Sequence, residues 1–258
     1  LIATKNFQWE VGASAGHYKN EIPRLADNKT VMDTQLYGAT IRTEVGQAAN
    51  LFYGYETEGV FATSEQAAES GLYILAENGV DKKPFGAGDV IFKDNHEDGA
   101  IDAKDMVVIG DPNPDIYGNL FSAMSYKRFR LDVNFNYSLG NDVYNYMRSQ
   151  LEGGNRFMNQ TTAMLHRWQA EGQQTSMPRA TFQDPMGNAR FSDRWIEDGS
   201  YLRLKSATLS YNLPINSTFI QGFQFWVQAN NVFTLSKYLG SDPEFLTSTE
   251  TPVFRHRR

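Results

Sequence analysis

The stretch Phe129-Arg130-Leu131-Asp132-Val133-Asn134-Phe135-Asn136-Tyr137-Ser138 sets an apolar side chain at every second position and a polar one between. Successive side chains of a β-strand point to opposite faces, so this run predicts a strand with one apolar and one polar face. A segment from Tyr117-Gly118 to Tyr126 precedes it, and Lys127-Arg128 supplies a turn between the two. Phe7, Trp9, Val11, Ala13 and Ala15 alternate in the same way with Gln8, Glu10, Gly12 and Ser14. Further on, Tyr201 to Leu213 is followed by Phe223 to Asn231, where Phe223, Phe225, Val227 and Ala229 alternate with Gln224, Trp226, Gln228 and Asn230. The short turn Leu213-Pro214-Ile215-Asn216 lies between them, and Pro214 stops the first strand because it has no N–H for the ladder.

Two all-β architectures fit such strands. One is a soluble β-sandwich whose apolar face packs on a second sheet. The other is a transmembrane β-barrel whose apolar face meets lipid while the polar face lines a wet lumen. The runs outlast the ~5–6 residues of a typical soluble strand and suit the ~10 of a membrane strand. Alternation alone leaves both open.

Composition narrows the function classes. The chain has 258 residues, enough to bury a core, and Lys+Arg 24 against Asp+Glu 30 gives 24 − 30 = −6. With a pI of 5.3 there is no broad basic field for a phosphate backbone, so nucleic acid is not an expected partner. Aromatic residues reach 13%, which favours strands carrying amphipathic rings. Cysteine is absent, which excludes disulfides, thiolate nucleophiles and cysteine-based metal centres. No apolar run approaches the ~20 residues of a transmembrane helix, and a mean hydropathy of −0.49 still allows a barrel. Leu1 to Phe7 have no start methionine and no signal-peptide pattern, so the chain reads as a fragment or processed product.

Between the strands lie long connections, which in a barrel are extracellular loops. Residues 60–92 contain a predicted helix from Ser64 to Gly71, with Ser64 as N-cap, and residues 140–198 one from Asn159 to Ala170, with Met164, Leu165 and Trp168 on one face. No repeat or linker divides the chain into domains. Phe52, Tyr53, Tyr55 and Trp168 are candidates for stacking on sugar rings, although loop aromatics more often pack a loop onto its own scaffold. The sequons at Asn28, Asn159 and Asn216 are chance-level matches.

One segment fits a ligand template. From Asp94 to Asp105, the residues Asp94, Asp98, Asp102 and Asp105 fall at positions 1, 5, 9 and 12 of a calcium loop, with Gly99 at the sharp turn and the Ala100 carbonyl at position 7. His96 at position 3 departs from it, since imidazole nitrogen is a poor calcium ligand. The expected metal is structural Ca²⁺ on Asp94, Asp98, the Ala100 carbonyl, Asp102 and Asp105. The alternative is an acidic turn whose carboxylates bond local backbone. No catalytic constellation stands out: the four histidines are scattered, and Glu197-Asp198 are turn neighbours that diverge, unlike a glycosidase pair. The chain is not expected to be an enzyme.

Arg194-Trp195-Ile196-Glu197-Asp198-Gly199-Ser200-Tyr201-Leu202-Arg203-Leu204-Lys205, with Ala207-Thr208-Leu209-Ser210-Tyr211-Asn212-Leu213-Pro214 after it, resembles the signature near the C-terminus of SusC-like TonB-dependent transporters. Asn230-Asn231-Val232-Phe233-Thr234, Tyr238 to Glu244, Phe52-Tyr53-Gly54-Tyr55 and the run from Gly88-Asp89 through Ile109-Gly110 to Tyr117-Gly118 match further motifs in order. The resemblance spans nearly the whole chain. It implies an antiparallel segment of a large outer-membrane barrel of about 22 strands in a Gram-negative bacterium, with long extracellular loops, one or two short loop helices and roughly six to eight of the strands. The family takes up oligosaccharides or peptides with a SusD-like surface lipoprotein, driven through TonB. On this reading residues 1–258 are the C-terminal portion of the barrel, without plug domain or TonB box, and the tail Pro252 to Arg258 departs from the family's final strand. The runner-up is a soluble calcium-dependent glycan-binding sandwich.

Overall fold

Five long antiparallel strands, Phe7–Gly16, Ile116–Tyr126, Phe129–Leu139, Tyr201–Leu213 and Phe223–Ser236, pair side by side in that order, with the two-residue strand Ile2–Ala3 added outside the first. The computed structural model describes residues 2–215, 219 and 222–244. The end of the Leu213–Asn216 turn, the sequon at Asn216 and the tail Pro252–Arg258 lie outside the described residues.

Register turns the period-two pattern into a two-faced sheet. Across the five strands, one face carries the rows Phe7, Tyr126, Phe129, Tyr211, Phe225; then Trp9, Met124, Leu131, Leu209, Val227; then Val11, Ser122, Val133, Ala207, Ala229. It continues with Ala13, Leu120, Phe135, Leu204, Phe233 and closes with Ala15, Gly118, Tyr137, Leu202, Leu235. The opposite face carries Gln8, Ser125, Arg130, Ser210 and Trp226 in one row and Ser14, Asn119, Asn136, Arg203 and Thr234 in another.

One irregularity preserves this sorting. Lys205 is an extra residue relative to the neighbouring strand, because Asn134 pairs with Ser206 while Phe135 pairs with Leu204. On the other side Lys205 faces a stretch in which Leu204 pairs with Phe233 and Ser206 with Asn230, and Asn231 adopts φ 51°. This β-bulge brings Leu204 and Ala207, three positions apart, onto the same apolar face. The rings of Phe135 and Phe233, 6.4 Å apart, flank Leu204 and bury it.

The chain separates into two compact units, one formed by these strands and the other by residues 20–112 and 143–197. Residues 60–92 and 140–198 read as long connections between strands; in the structure most of them belong to this second, folded unit. Its four-stranded antiparallel sheet runs Val107–Gly110, Leu51–Gly54, Ala39–Glu44, Val31–Leu36. Tyr37 (φ 51°) and Gly38 (φ 82°) close the tight hairpin between the last two, a left-handed pair suited to a two-residue turn. Phe61, Phe85, Val90, Phe92 and Ile101 form one core, and Ala39, Ile41 and Phe52, backed by Tyr144 and Phe191, form another.

Both helix expectations need correction. The first helix is Ser64–Ser70, but its N-cap is Thr63, whose hydroxyl accepts from the Gln66 N–H at 3.1 Å, so Ser64 is already helical. Gly71 ends it with φ 68°. In the second insert the α-helix is Tyr146–Glu152, capped by Asn145. Asn159 to Ala170 contains only a 3₁₀ turn, Thr162–His166: the Arg167 N–H returns to the Met164 carbonyl and the Trp168 N–H goes to Met177, so no α-ladder extends. Met164 is buried while Leu165 is 69% exposed, so they do not share a packed face.

Candidate functional site: a two-faced wall and a folded loop unit

The apolar face of the long-strand sheet has the chemistry of a surface in contact with hydrocarbon. None of the eleven residues of Phe129–Leu139 is buried, so among the described residues no second sheet covers either side of this strand, as a sandwich requires. Phe225 is 56% and Val227 75% exposed on the apolar face. Two polar groups on that face find partners in the sheet: the Trp9 indole N–H donates to the Ser122 hydroxyl at 2.9 Å, and the Tyr137 hydroxyl donates to the Ser14 carbonyl at 3.0 Å. In lipid, where water cannot serve these groups, such pairing is required. Gly118 makes the second contact possible, because a Cβ there would stand 2.0 Å from the Ser14 oxygen and 2.7 Å from the Tyr137 hydroxyl. From Phe129 to Tyr137 is 137 − 129 = 8 steps. That is ~26 Å along the strand at ~3.3 Å per residue and ~20 Å across a membrane at ~40° tilt, close to the ~25 Å apolar band of a barrel.

The other face is a polar surface with its own ladder. Asn119 donates to Asn136 at 2.9 Å and Asn134 to Ser206 at 3.2 Å. Arg130 forms a forked ion pair with Asp132 at 2.7 Å, and Arg203 pairs with Glu244 at 2.6 Å and with Asp242. Phe121 lies flat over Gly12, where an added Cβ would meet its ring at 2.1 Å. The expected division, with Phe129, Leu131, Val133, Phe135 and Tyr137 on one face and Arg130, Asp132, Asn134 and Asn136 on the other, is the division observed.

The folded loop unit is organised by buried polar networks that sequence reading missed. Asp89, with no exposed surface, accepts two bonds from Arg179 at 2.9 Å each, one from Asn188 at 2.8 Å and one from the Gly86 N–H at 2.9 Å. Trp195, 1% exposed, donates to the Arg190 carbonyl at 3.0 Å and has the guanidinium groups of Arg148 and Arg194 over its ring. Burial, reinforced by the neighbouring positive charge of Arg148, pushes Arg194 down to about 10. Arg148 also bonds Glu152 and Glu197 at 2.8 and 3.0 Å. Glu197 is thus a structural ion-pair partner, while Asp198 accepts from the Ser200 N–H at 2.9 Å. The loop aromatics take the packing role: Phe52 is 1% exposed, Tyr53 lies under Arg42, and the Trp168 indole donates to the Ala62 carbonyl at 3.0 Å.

The acidic loop is tightly bonded to itself. Asp94 accepts from the His96 and Gly99 N–H groups at 3.2 and 2.7 Å, Asp98 from Ala100 at 2.9 Å, and Asp102 from Lys104 at 2.8 Å. Asp105, fully buried, accepts from His96 at 3.1 Å and Asp102 at 2.9 Å. Burial pushes the Asp94 carboxyl up, but backbone N–H groups of Gly99, Glu97 and Asp98 outweigh it and hold it below the usual range. Lys104 forms an ion pair with Asp98 at 3.3 Å. Among the described residues no group of three or more His, Asp or Glu converges as a metal cage.

A sheet this long, with an uncovered apolar face, a hydrogen-bonded polar face and the tight Lys127-Arg128 turn at one end, defines a segment of a transmembrane β-barrel. No protein-family model matches the chain. It is 30% identical over 251 residues to TonB-dependent receptor P3 of Formosa agariphila, and 28% identical over 267 residues to TonB-dependent receptor SusC of Bacteroides thetaiotaomicron. Each match covers 94% of this chain but only 24% and 23% of the relative, so the chain spans about a quarter of the length of these relatives. Among solved structures, the RagAB peptide transporter matches with TM-score 0.73 at 22% identity, and the RagAB peptide importer in its closed-closed state with 0.71 at 23%. Each covers 94% of this chain and 25% of the solved one. Along 94% of its length the chain is similar to part of the TonB-dependent receptors, SusC among them, and it shares its fold with a segment of the RagAB structures. The soluble-sandwich alternative is set aside: its fold is not the one observed.

Proposed function

We propose that the whole protein containing this chain imports oligosaccharides or peptides across the outer membrane. In this reading a SusD-like surface lipoprotein captures substrate, TonB supplies the energy, and this segment contributes wall and extracellular loops without bond-breaking chemistry. The observation that carries the proposal is the two-faced sheet, continuous over five long strands, in a chain similar over 94% of its length to TonB-dependent receptors. The polar face, with its Asn, Ser and Arg ladder, suits a hydrated interior. The folded unit of residues 20–112 and 143–197 suits an extracellular position, since barrels keep short turns on the periplasmic side and long connections outside. Deletion of the full-length gene in its native host tests this. Loss of growth on a glycan or peptide mixture, together with a lipoprotein co-purifying with the tagged protein, is the expected result. Unchanged growth on every glycan and peptide offered, without such a lipoprotein, overturns it, and release of reducing sugar by the purified protein would indicate an enzyme.

A second part concerns the acidic loop. Its four carboxylates at calcium-loop spacing support Ca²⁺ binding by Asp94, Asp98, the Ala100 carbonyl, Asp102 and Asp105, with water in place of His96. The ion would brace the loop by offsetting repulsion among the carboxylates, after displacing the Lys104 ammonium from Asp98.

A further inference from the structure

At the end of the long-strand sheet opposite the Lys127-Arg128 turn, the chain leaves the last strand at Ser236 and returns to the polar face as a strap, residues 237–244. Its start is pinned: the Ser236 hydroxyl donates to the Ser200 carbonyl at 2.9 Å and accepts from the Tyr238 N–H at 3.1 Å. Tyr238 then lies over Gly240, where any Cβ would collide with its ring. The far end is held by charge. Arg203, 6% exposed, donates through Nη1 to Glu244 at 2.6 Å and through Nη2 to Asp242. Lys205 brings a second cation to Glu244 at 3.7 Å. It is the extra residue of the bulge, so the irregularity in the strand delivers a side chain to this cluster.

The grip is incomplete. A guanidinium holds a carboxylate best through a fork of two parallel N–H bonds to its two oxygens. Here each carboxylate takes one terminal nitrogen, and the Nε of Arg203 is buried with no acceptor among the described residues. A buried donor without a partner is unfavourable, so this arrangement carries a penalty that a fork-forming ligand removes. Because this chain alone encloses the Nε, a ligand or another part of the larger protein can reach it only when the site opens. The carboxylates are the accessible half of the contact, with Asp242 49% and Glu244 35% exposed.

We infer that Arg203 and Lys205 form a binding site for the carboxylates of acidic peptides on the polar face, and that the chain's own Asp242-Pro243-Glu244 occupies it until an imported peptide displaces the strap. The occupant defines the ligand class, since it is itself a peptide segment that sets two acidic side chains, two positions apart, on one guanidinium. An incoming Asp or Glu side chain can engage Arg203 as a fork, bringing the Nε into use. Tyr201, its ring centre 5.6 Å from the guanidinium, keeps the cation seated when the strap leaves. Ser138 pairs with Tyr201 at this end, so the 140–198 connection departs from it, and in the import reading above it is the end that meets substrate from outside. The inference rests on that reading and narrows its substrate.

The test uses the full-length transporter in detergent micelles. Calorimetry reads binding of a C-amidated pentapeptide carrying two glutamates, of its glutamine counterpart, and of trigalacturonate, while hydrogen exchange of residues 237–244 reads the strap. Wild-type protein should prefer the glutamate peptide, and that peptide should speed exchange in the strap. The double variant Asp242→Asn, Glu244→Gln removes the internal competitor. It should tighten the glutamate peptide about tenfold, the factor expected when the open state holds about one-tenth of the population, and leave the glutamine peptide unchanged. Arg203→Gln should abolish the preference, and the milder Lys205→Gln should weaken glutamate-peptide binding severalfold in a protein whose buried guanidinium is intact. Equal binding of the two peptides by wild type overturns the inference. So does strap exchange that peptide does not change, tighter binding of trigalacturonate than of the glutamate peptide, or a folded double variant that binds the glutamate peptide no better, which would make the ion pairs a permanent brace. Growth on a neutral glycan that depends on the gene, alongside equal binding of the two peptides, would sink this inference and leave import standing.

Discussion

Arg179 grips Asp89 with two nitrogens at 2.9 Å each, across ninety positions of sequence, and the carboxylate it holds has no exposed surface at all. Asp89 therefore joins the two inserts of the folded loop unit: the Asn188 amide and the Gly86 N–H complete its shell. Replacing Arg179 by Met leaves a buried carboxylate short of its charge partner, at a cost of about 3–5 kcal/mol. The expected outcome is rapid proteolysis of the 143–197 insert in the full-length protein, with the membrane-protected strands intact. Asp89→Asn, which keeps the shape and removes the charge, should be milder.

The two faces of the Phe129–Leu139 strand should differ sharply in their tolerance of charge. Val133→Arg puts a guanidinium on the apolar face near mid-height and is expected to cost about 2–4 kcal/mol of barrel stability. Asn134→Arg, one residue on, points to the polar side and should be nearly silent. Urea titration of the full-length barrel folded into vesicles measures both, and equal costs would contradict the assignment of faces.

Acid should weaken the Val31–Leu36 and Ala39–Glu44 hairpin through one pair. Two bonds from Arg42, each 2.8 Å, hold the Asp33 carboxyl below its ordinary range. A folded-state value below the unfolded one means the contribution is present above the usual carboxylate value of ~3.9 and is lost as pH falls through the depressed one. Because the pair is partly exposed, the effect should stay under about 1 kcal/mol. Hydrogen exchange of the hairpin amides at pH 5 and pH 2.5 reads it, and Asp33→Asn should erase the difference contributed by this pair.

Millimolar Ca²⁺ is expected to release heat on mixing with the full-length protein and to protect the 94–105 loop from proteolysis. Asp98→Asn should weaken the effect, and Lys104→Gln should strengthen it by removing the competing ammonium. Calorimetry without a calcium-dependent signal in any of the three proteins would argue for a self-bonded acidic turn.

The long strands were legible because period-two alternation is their whole design: neighbours across the sheet repeat it, as Leu131 does between Met124 and Leu209. The loop unit was not, for the opposite reason. In Ala39–Glu44 residues from both faces are buried, so Ala39, Thr40 and Ile41 read as a short apolar patch with no period. The Thr63 cap was readable, since Thr63 and Gln66 stand three apart as in a capping box, but adjacent Ser64 drew the same reading one position on. Asp89 stood out only as part of the Gly88-Asp89 motif match, with no local sign of a buried ion pair. Its partners Arg179 and Asn188 are brought to it only by tertiary folding, and spacing along the chain carries no trace of that. The candidate calcium residues were chosen by spacing, whereas the hydrogen bonds that turn their carboxylates toward loop N–H groups depend on backbone angles that spacing does not encode.

The bulge at Lys205 bears on how such a wall can change over evolutionary time. In a strand with two unlike faces, inserting or deleting one residue sends every later side chain to the wrong solvent, so single-codon indels in the wall should be purged. At Lys205 that penalty is already absorbed. Removing it would leave Leu204, Ser206, Ala207 and Thr208 in unbroken alternation against Phe135, Asn134, Val133 and Asp132, and would leave the irregularity to Asn231 and Val232 on the next strand. The bulge is thus a place where the lineage could gain or lose a codon without rewriting the rest of the strand.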